Sequence, residues 1–436
     1  MAHDTAHHDL HHAPDLSAGN IGGGRFGALS SRLFPAGIAL FAFGCWMAFR
    51  GDSIGEGARA YLVAMVLALA TCLGALFFVI VQHLTRAGWS VAVRRPAEAI
   101  AQNLRWMWIL FLPIAWMGWT GKLVDLYPWA DLGVLRSISP AEADLVANKA
   151  VYLNQKFFFV RAAAYFAVWA LLANFFWSSS VRQDRTGSPS ISASCRKWSG
   201  PAMILFGLST TFASVDWIMS LSPAWFSTMF GVYFFAVCAT CGLSAITLTC
   251  LALQRGGQLR GIVTAEHYHD LGKLLFAFGI VFWAYIAFSQ FMLIWYGNLP
   301  EETAWFLPRQ VGQWYWISWG LLLGHFILPF VLLISRWPKR WPSSLAAGCA
   351  WMYLFGIVDI CYLVLPHIPH DLGEFTDYRA FAEKHAADGP HGPGLPFLVA
   401  GAVLLVFAGT ARALRREQAL ASRDPSLAES LAFQNM

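Results

Sequence analysis

The sequence predicts an all-α polytopic membrane protein of about ten transmembrane helices, on three observations. Of its 436 residues, 57% are hydrophobic and only 13% charged, against roughly 25% charged in a soluble domain. That leaves too little polar material to coat a soluble core. Apolar runs of about 20 residues, the length that crosses the hydrocarbon as helix, recur along the whole chain. The alternating pattern of a transmembrane barrel is absent, so helices must satisfy the backbone within lipid. A soluble enzyme, a nucleic-acid binder and a disordered scaffold are excluded together.

Taken in order, residues 1–32 read as a His- and Gly-rich cytoplasmic tail. Five of the 13 histidines fall in its first 12 residues; a solvated tail is the simpler reading, with a bound metal ion as the alternative. No apolar stretch of a secretory signal peptide precedes the first span. The membrane domain, 33–412, holds ten expected spans: 33–50, 60–84, 104–121, 157–179, 199–221, 226–253, 271–297, 309–335, 343–366 and 394–412. The third is the least regular, because Pro113 interrupts it and Lys122 and Asp125 lie at its end. Before it, Arg94-Arg95-Pro96 and the following Ala97–Leu104 predict a short helix at the inner interface. Trp106, Trp108, Trp116 and Trp119 are placed as an aromatic belt. Outer loops are expected near 122–156 and 367–393. In the first, Ser139-Pro140-Ala141-Glu142 is a helix-start signal predicting a surface helix near 140–150. Residues 413–436 read as a cytoplasmic C-terminal tail.

Orientation follows from the basic residues. Both termini and every second loop together hold 20 of the 30 Lys and Arg. That side is cytoplasmic by the positive-inside rule, giving N-in and C-in. The opposite side carries the acidic loops, with Glu301, Glu302, Asp371, Glu374 and Asp377.

Ionisable groups inside a membrane are costly and each is a functional hypothesis by default. Asp216 lies in the fifth expected span and Asp359 in the ninth, with Tyr362 on the same helical face. His325 sits near the middle of the eighth. Pro329 follows by four residues and cannot donate to the His325 carbonyl, so a kink and a polar pocket are expected there. The seventh span adds Tyr285, Ser289 and Gln290, with His267, His269, Asp270 and Lys273 at its inner start. By depth these form a polar ladder: His267, Asp270 and Lys273 inside, His325 and Tyr285 centrally, Gln290, Asp216 and Asp359 toward the outside. Such a ladder is what proton conduction needs. The competing reading is structural, because helix bundles use polar side chains as interhelical glue.

No cofactor pattern emerges. A single deep histidine makes bis-histidine haem ligation improbable, and the chain has neither an iron–sulfur cysteine set nor a nucleotide-binding motif. Cys238 and Cys241 form a CxxC followed by Gly242 in apolar surroundings, which reads as small residues buried on a helix.

Two stretches carry a resemblance. One runs from His267-Tyr-His-Asp-Leu-Gly-Lys through Phe282-Trp-Ala-Tyr-Ile-Ala-Phe-Ser-Gln to Leu293-Ile-Trp-Tyr-Gly-Asn-Leu-Pro-Glu-Glu302. The other is Asp216-Trp-Ile-Met-Ser-Leu, followed by Trp225-Phe-Ser-Thr-Met-Phe-Gly. Both resemble the polysulfide-reductase-like membrane subunits of bacterial alternative complex III, above all the type called the second quinone-binding subunit, over about residues 33–366. The resemblance implies two four-helix bundles, spans 2–5 and 6–9, flanked by spans 1 and 10. It implies a subunit of a respiratory quinol:cytochrome c oxidoreductase in the bacterial inner membrane. Partners would be a sister membrane subunit carrying the quinol site, multihaem cytochromes and an iron–sulfur protein, so that haems and iron–sulfur clusters sit outside this chain. A quinone or menaquinone contact and a proton-conducting half-channel belong to the same expectation. The alternative from another class is an autonomous secondary transporter, which often breaks helices at matching points of two halves.

Overall fold

The computed structural model describes residues 14–50, 54–367, 377–390, 392 and 394–435. The histidines of the first 12 residues, and Asp371 and Glu374 of the second outer loop, lie outside them. Among the described residues the chain is helical throughout, with no strand. Nine helices are long and apolar enough to cross a membrane: Gly24–Phe49, Ile54–Leu84, Gln155–Thr186, Pro189–Leu221, Phe230–Arg255, Ala265–Gly297, Gly312–Ile334, Pro342–Val364 and Leu395–Arg416. They correspond to spans 1, 2 and 4–10. The protein is an all-α polytopic membrane protein.

Span 3 is built differently. Its apolar helical part, Met107–Trp119, is too short to cross unaided. It continues backward through a tight turn, Gln102–Arg105, into the helix Val91–Ala101. This composite runs antiparallel along all of span 4. Arg95 meets Asp184 at 2.6 Å, the Phe111 ring lies 5.6 Å from Phe166, and Gly118 packs on Phe159. The helix Val91–Ala101 forms where the sequence predicts a short helix at the inner interface. Arg95 meets Asp184 two residues before the end of Gln155–Thr186. Arg94, Arg95 and Glu98 are all buried in one network. Arg94 pairs with Glu98 at 3.2 Å and with Asp424 at 2.5 Å, and Arg95 pairs with Glu98 at 3.2 Å.

Spans 2 and 6 are the buried axis of the molecule, and both are lined almost wholly by core residues. They touch backbone to backbone at Gly74 and Gly242. A Cβ on Gly74 would fall 1.8 Å from the Cys238 carbonyl oxygen, so only glycine permits this approach. Around the axis, spans 2–5 pack as one group and spans 6–9 as a second, while spans 1 and 10 pack on each other and on spans 2 and 3. Spans 4 and 5 are joined by a tight reversal at Gly187 (φ +67°), with Pro189 opening the next helix.

The first and last described segments lie on one face, the inner one by the charge rule. The Ile21 carbonyl accepts from Ala419 N–H and the Asn20 carbonyl from Leu259 N–H, each at 2.7 Å. The stretch expected to be an N-terminal tail is thus helical and packed from Ala18 onward. The expected C-terminal tail is a strap across the inner ends of spans 3 and 7. Ser430 donates to the Trp89 carbonyl at 2.7 Å, Phe433 stacks on Trp89, and Asn435 accepts from Lys273 at 2.9 Å. On the outer face, the expected surface helix forms at Pro140–Ala147 with Ser139 as its cap.

Candidate functional site

The deep polar groups collect into two centres, one in each bundle. The first is built on Asp216 at the outer end of span 5. Arg161, from the second turn of span 4, donates through Nε and Nη2 to its two oxygens, both at 2.8 Å. Tyr165, one turn further along span 4, donates to Oδ2 at 2.8 Å. The guanidinium also donates to the Tyr152 carbonyl at 2.9 Å and lies over the Tyr152 and Phe157 rings. Burial, then the nearby Asp216, pushes the Tyr152 phenol up to about 12. This is a two-pronged ion pair with every carboxylate oxygen occupied. It locks spans 4 and 5 together.

The second centre is Asp359, in the outer half of span 9 and fully buried. Tyr233 of span 6 donates to Oδ1 at 2.7 Å, and Trp283 of span 7 donates through Nε1 to Oδ2 at 2.6 Å. His325 of span 8 lies flat on the Trp283 indole, with ring centroids 3.9 Å apart and planes 6° from parallel. Its Nε2 donates to the Gly279 carbonyl of span 7 at 3.1 Å. With a proton fixed on Nε2, Nδ1 carries a lone pair in the neutral ring and a second N–H in the imidazolium. Nδ1 is buried, has no hydrogen-bond partner and lies 4.0 Å from Asp359 Oδ2.

Two wide helical turns create this geometry. The π-helical stretch Leu321–Ile327 carries His325 and stops just before Pro329, which withholds the N–H an α-helix needs. A facing π stretch, Leu275–Phe282, carries Gly279. Such turns leave carbonyls unpaired within their own helix and recur at functional sites. Here the neighbours cover them. Gly279 accepts from His325 and from Thr240 at 3.2 Å, and Gly324 accepts from Trp351 Nε1 at 2.8 Å.

Above this centre lies Arg309, buried just before span 8. It stacks on Trp305 at 3.4 Å and donates to the carbonyls of Trp305, Tyr362 and Leu363. The last two end span 9, where the helix dipole is negative. Tyr362 thus reaches the centre through its backbone and its ring, 5.2 Å from the guanidinium.

The other expected residues are not joined to these centres. Tyr285 is 64% exposed and faces away from the bundle. Gln290 is buried and accepts from Ser227 at 3.4 Å. His267 caps its own helix, with Nδ1 accepting from Thr264 N–H at 3.1 Å, and turns Nε2 toward Ser430 of the strap. Asp270 pairs with Lys273, and Lys273 donates to the strap. Nearby, Lys339 donates to the Leu333 and Ile334 carbonyls that end span 8, and burial, then Lys273, lowers its pKa. The inner group is thus an anchoring site for the C-terminus, and the ladder splits into separate clusters. Arg161, Arg309, Tyr233 and Trp283 were not among the residues singled out from sequence. Arg161 had a signal, since a cation lies five residues inside the fourth expected span. The other three had none, because Tyr and Trp are common in spans and Arg309 stands at a span boundary.

No protein-family model matches the chain, and no curated protein matches it.

Among the described residues, no group of three or more His, Cys, Asp or Glu side chains is arranged to hold a metal ion. A cavity of about 770 Å³ lies between span 3 and span 4, lined by apolar side chains and Arg105. It has no histidine, tyrosine or carboxylate that could take a proton from a quinol, so its donor set does not fit quinol oxidation.

Proposed function

We propose that this chain is a structural and proton-handling membrane subunit of a respiratory quinol-oxidising complex, of the alternative complex III kind, in a bacterial inner membrane. One observation carries the reading. The buried, unpartnered Nδ1 of His325 faces Asp359 Oδ2 at 4.0 Å. Neutral imidazole and ionised carboxylate would set two lone-pair groups against each other. One proton placed between them resolves this, as imidazolium beside carboxylate or as carboxylic acid beside imidazole. The pair is a proton-loading site in the second bundle. Asp216 differs, because Arg161 and Tyr165 already occupy both its oxygens, and its role is structural.

The electron path in this reading lies in partner subunits, with haems and iron–sulfur clusters there and the quinol site in a sister membrane subunit. The test measures complex yield and proton-to-electron ratio together. Asp359→Asn and His325→Phe should keep most of the yield and lower the ratio, while quinol oxidation continues. A normal ratio at normal yield in both variants rejects the proton-loading role. Failure of the chain to co-purify with any cytochrome-containing partner rejects the complex.

The second reading, an autonomous transporter, draws on one observation. Span 3 is irregular over Gln102–Phe111 and span 7 over Leu275–Phe282, at corresponding places of the two bundles. Proton-coupled solute flux by the purified chain alone in vesicles would favour it over the respiratory assignment.

A further inference from the structure

Spans 3 and 4 enclose a groove that the proposed function leaves unused. Its floor is made by small residues, Ala115 and Gly118 on one side and Ala163, Ala167 and Ala170 on the other. Trp119 closes its outer end and Arg105 its inner end. Between them the helical rise is about 21–24 Å, longer than the ~15 Å depth of one leaflet's hydrocarbon.

The inner end is polar. Arg105 is exposed, rests 5.6 Å from the Trp106 ring, and forms no ion pair among the described residues. Such a cation in contact with hydrocarbon is costly unless an anion meets it. The antiparallel register that sets Arg95 beside Asp184 and Gly118 beside Phe159 brings residues 172–174 level with Arg105, and Asn174 lies one helical turn inward of the lining residue Ala170. Asn174 and Ser178 are exposed on the face of span 4 that continues the groove inward. The Cα–Cβ bond of Arg105 tilts toward the N-terminus of its helix, so the guanidinium reaches for the inner headgroups.

We infer that this groove binds an anionic glycerophospholipid of the inner leaflet, with the phosphate at Arg105 and Asn174 and one acyl chain along the alanine floor. Quinol oxidation is disfavoured, because the lining offers no group to take the quinol's protons. The inference does not depend on the respiratory assignment.

Native mass spectrometry of the full chain in mild detergent, titrated with phosphatidylglycerol or phosphatidylcholine, tests it. Wild type should retain one phosphatidylglycerol, with roughly fivefold preference, as expected for one basic residue at an anionic surface. Arg105→Gln should remove the preference and leave weak binding of both lipids. Ala167→Phe, or Ala163→Leu should that variant fold poorly by circular dichroism, should reduce retention of both lipids. Equal retention of the two lipids by wild type overturns the inference, as does Arg105→Gln with an undiminished preference. Recovery of a prenylated quinone in the lipid's place, or blockage of the groove by a cross-linked partner helix, overturns it equally.

Discussion

His325 and Trp283 lie face to face, with ring centroids 3.9 Å apart, and the indole N–H of Trp283 points to the carboxylate that His325 faces with its free nitrogen. The stack fixes the imidazole plane, and the Gly279 carbonyl fixes its tautomer. Asp359 is held at the same time by donors from spans 6 and 7. Spans 6–9 thus all contribute to one preset geometry.

Tyr233→Phe tests how much of that geometry the carboxylate needs. It removes one donor at 2.7 Å from a fully buried carboxyl group. Hydrogen bonds to charged groups contribute about 1.5–3 kcal/mol. A thermal melt should report a loss in that range, with the proton-to-electron ratio reduced less than in Asp359→Asn. An unchanged melt would mean that Asp359 is not held as an anion.

Asp216→Asn should behave oppositely to Asp359→Asn. It strands the Arg161 guanidinium, and leaving one partner of a buried pair uncompensated costs about 3–5 kcal/mol. Protein abundance in the membrane should fall before any change in coupling. Arg161→Met combined with Asp216→Leu should recover much of that abundance, since apolar replacement of a buried pair is often neutral. Quantitative immunoblotting of membranes checks both.

The two central spans predict a sharp contrast between glycines. Gly74→Ala puts a methyl 1.8 Å from the Cys238 carbonyl oxygen, so spans 2 and 6 must separate. Folded yield should drop severely. Gly207→Ala meets nothing within 4 Å and removes a flexible residue from a helix, so it should be neutral or stabilising by up to about 1 kcal/mol. Size-exclusion profiles of the two variants separate these outcomes.

Truncation after Arg416 should loosen the inner face. It removes Asp424 from Arg94, Ser430 from the Trp89 carbonyl and Asn435 from Lys273, which keeps Asp270. Hydrogen exchange should rise in residues 85–100 and 256–270 and remain unchanged around Asp359. Uniform exchange across the whole chain would mean that the strap supports the global fold.

The class of fold was legible from composition and run length, because a bilayer demands one outcome: long apolar helices with internally satisfied backbones. Nine expected spans each coincide with a long apolar helix. Spans 6 and 8–10 agree within four residues at both ends, while the helices of spans 1, 2, 4, 5 and 7 run six to ten residues longer at one end. The sequence alone also marked His325, through the proline four residues later, and placed Asp216 and Asp359 at similar outer depths. Span 3 resisted, since its apolar helical part is short and the charges before it, Arg94, Arg95 and Glu98, find their partners only in the tertiary structure. The tertiary structure likewise separated two aspartates that look alike in sequence. Arg161 saturates one, while the other faces a histidine nitrogen without a partner. Depth in a membrane can be counted along one helix. Which groups meet at that depth depends on how each helix is rotated against the others, and packing decides that.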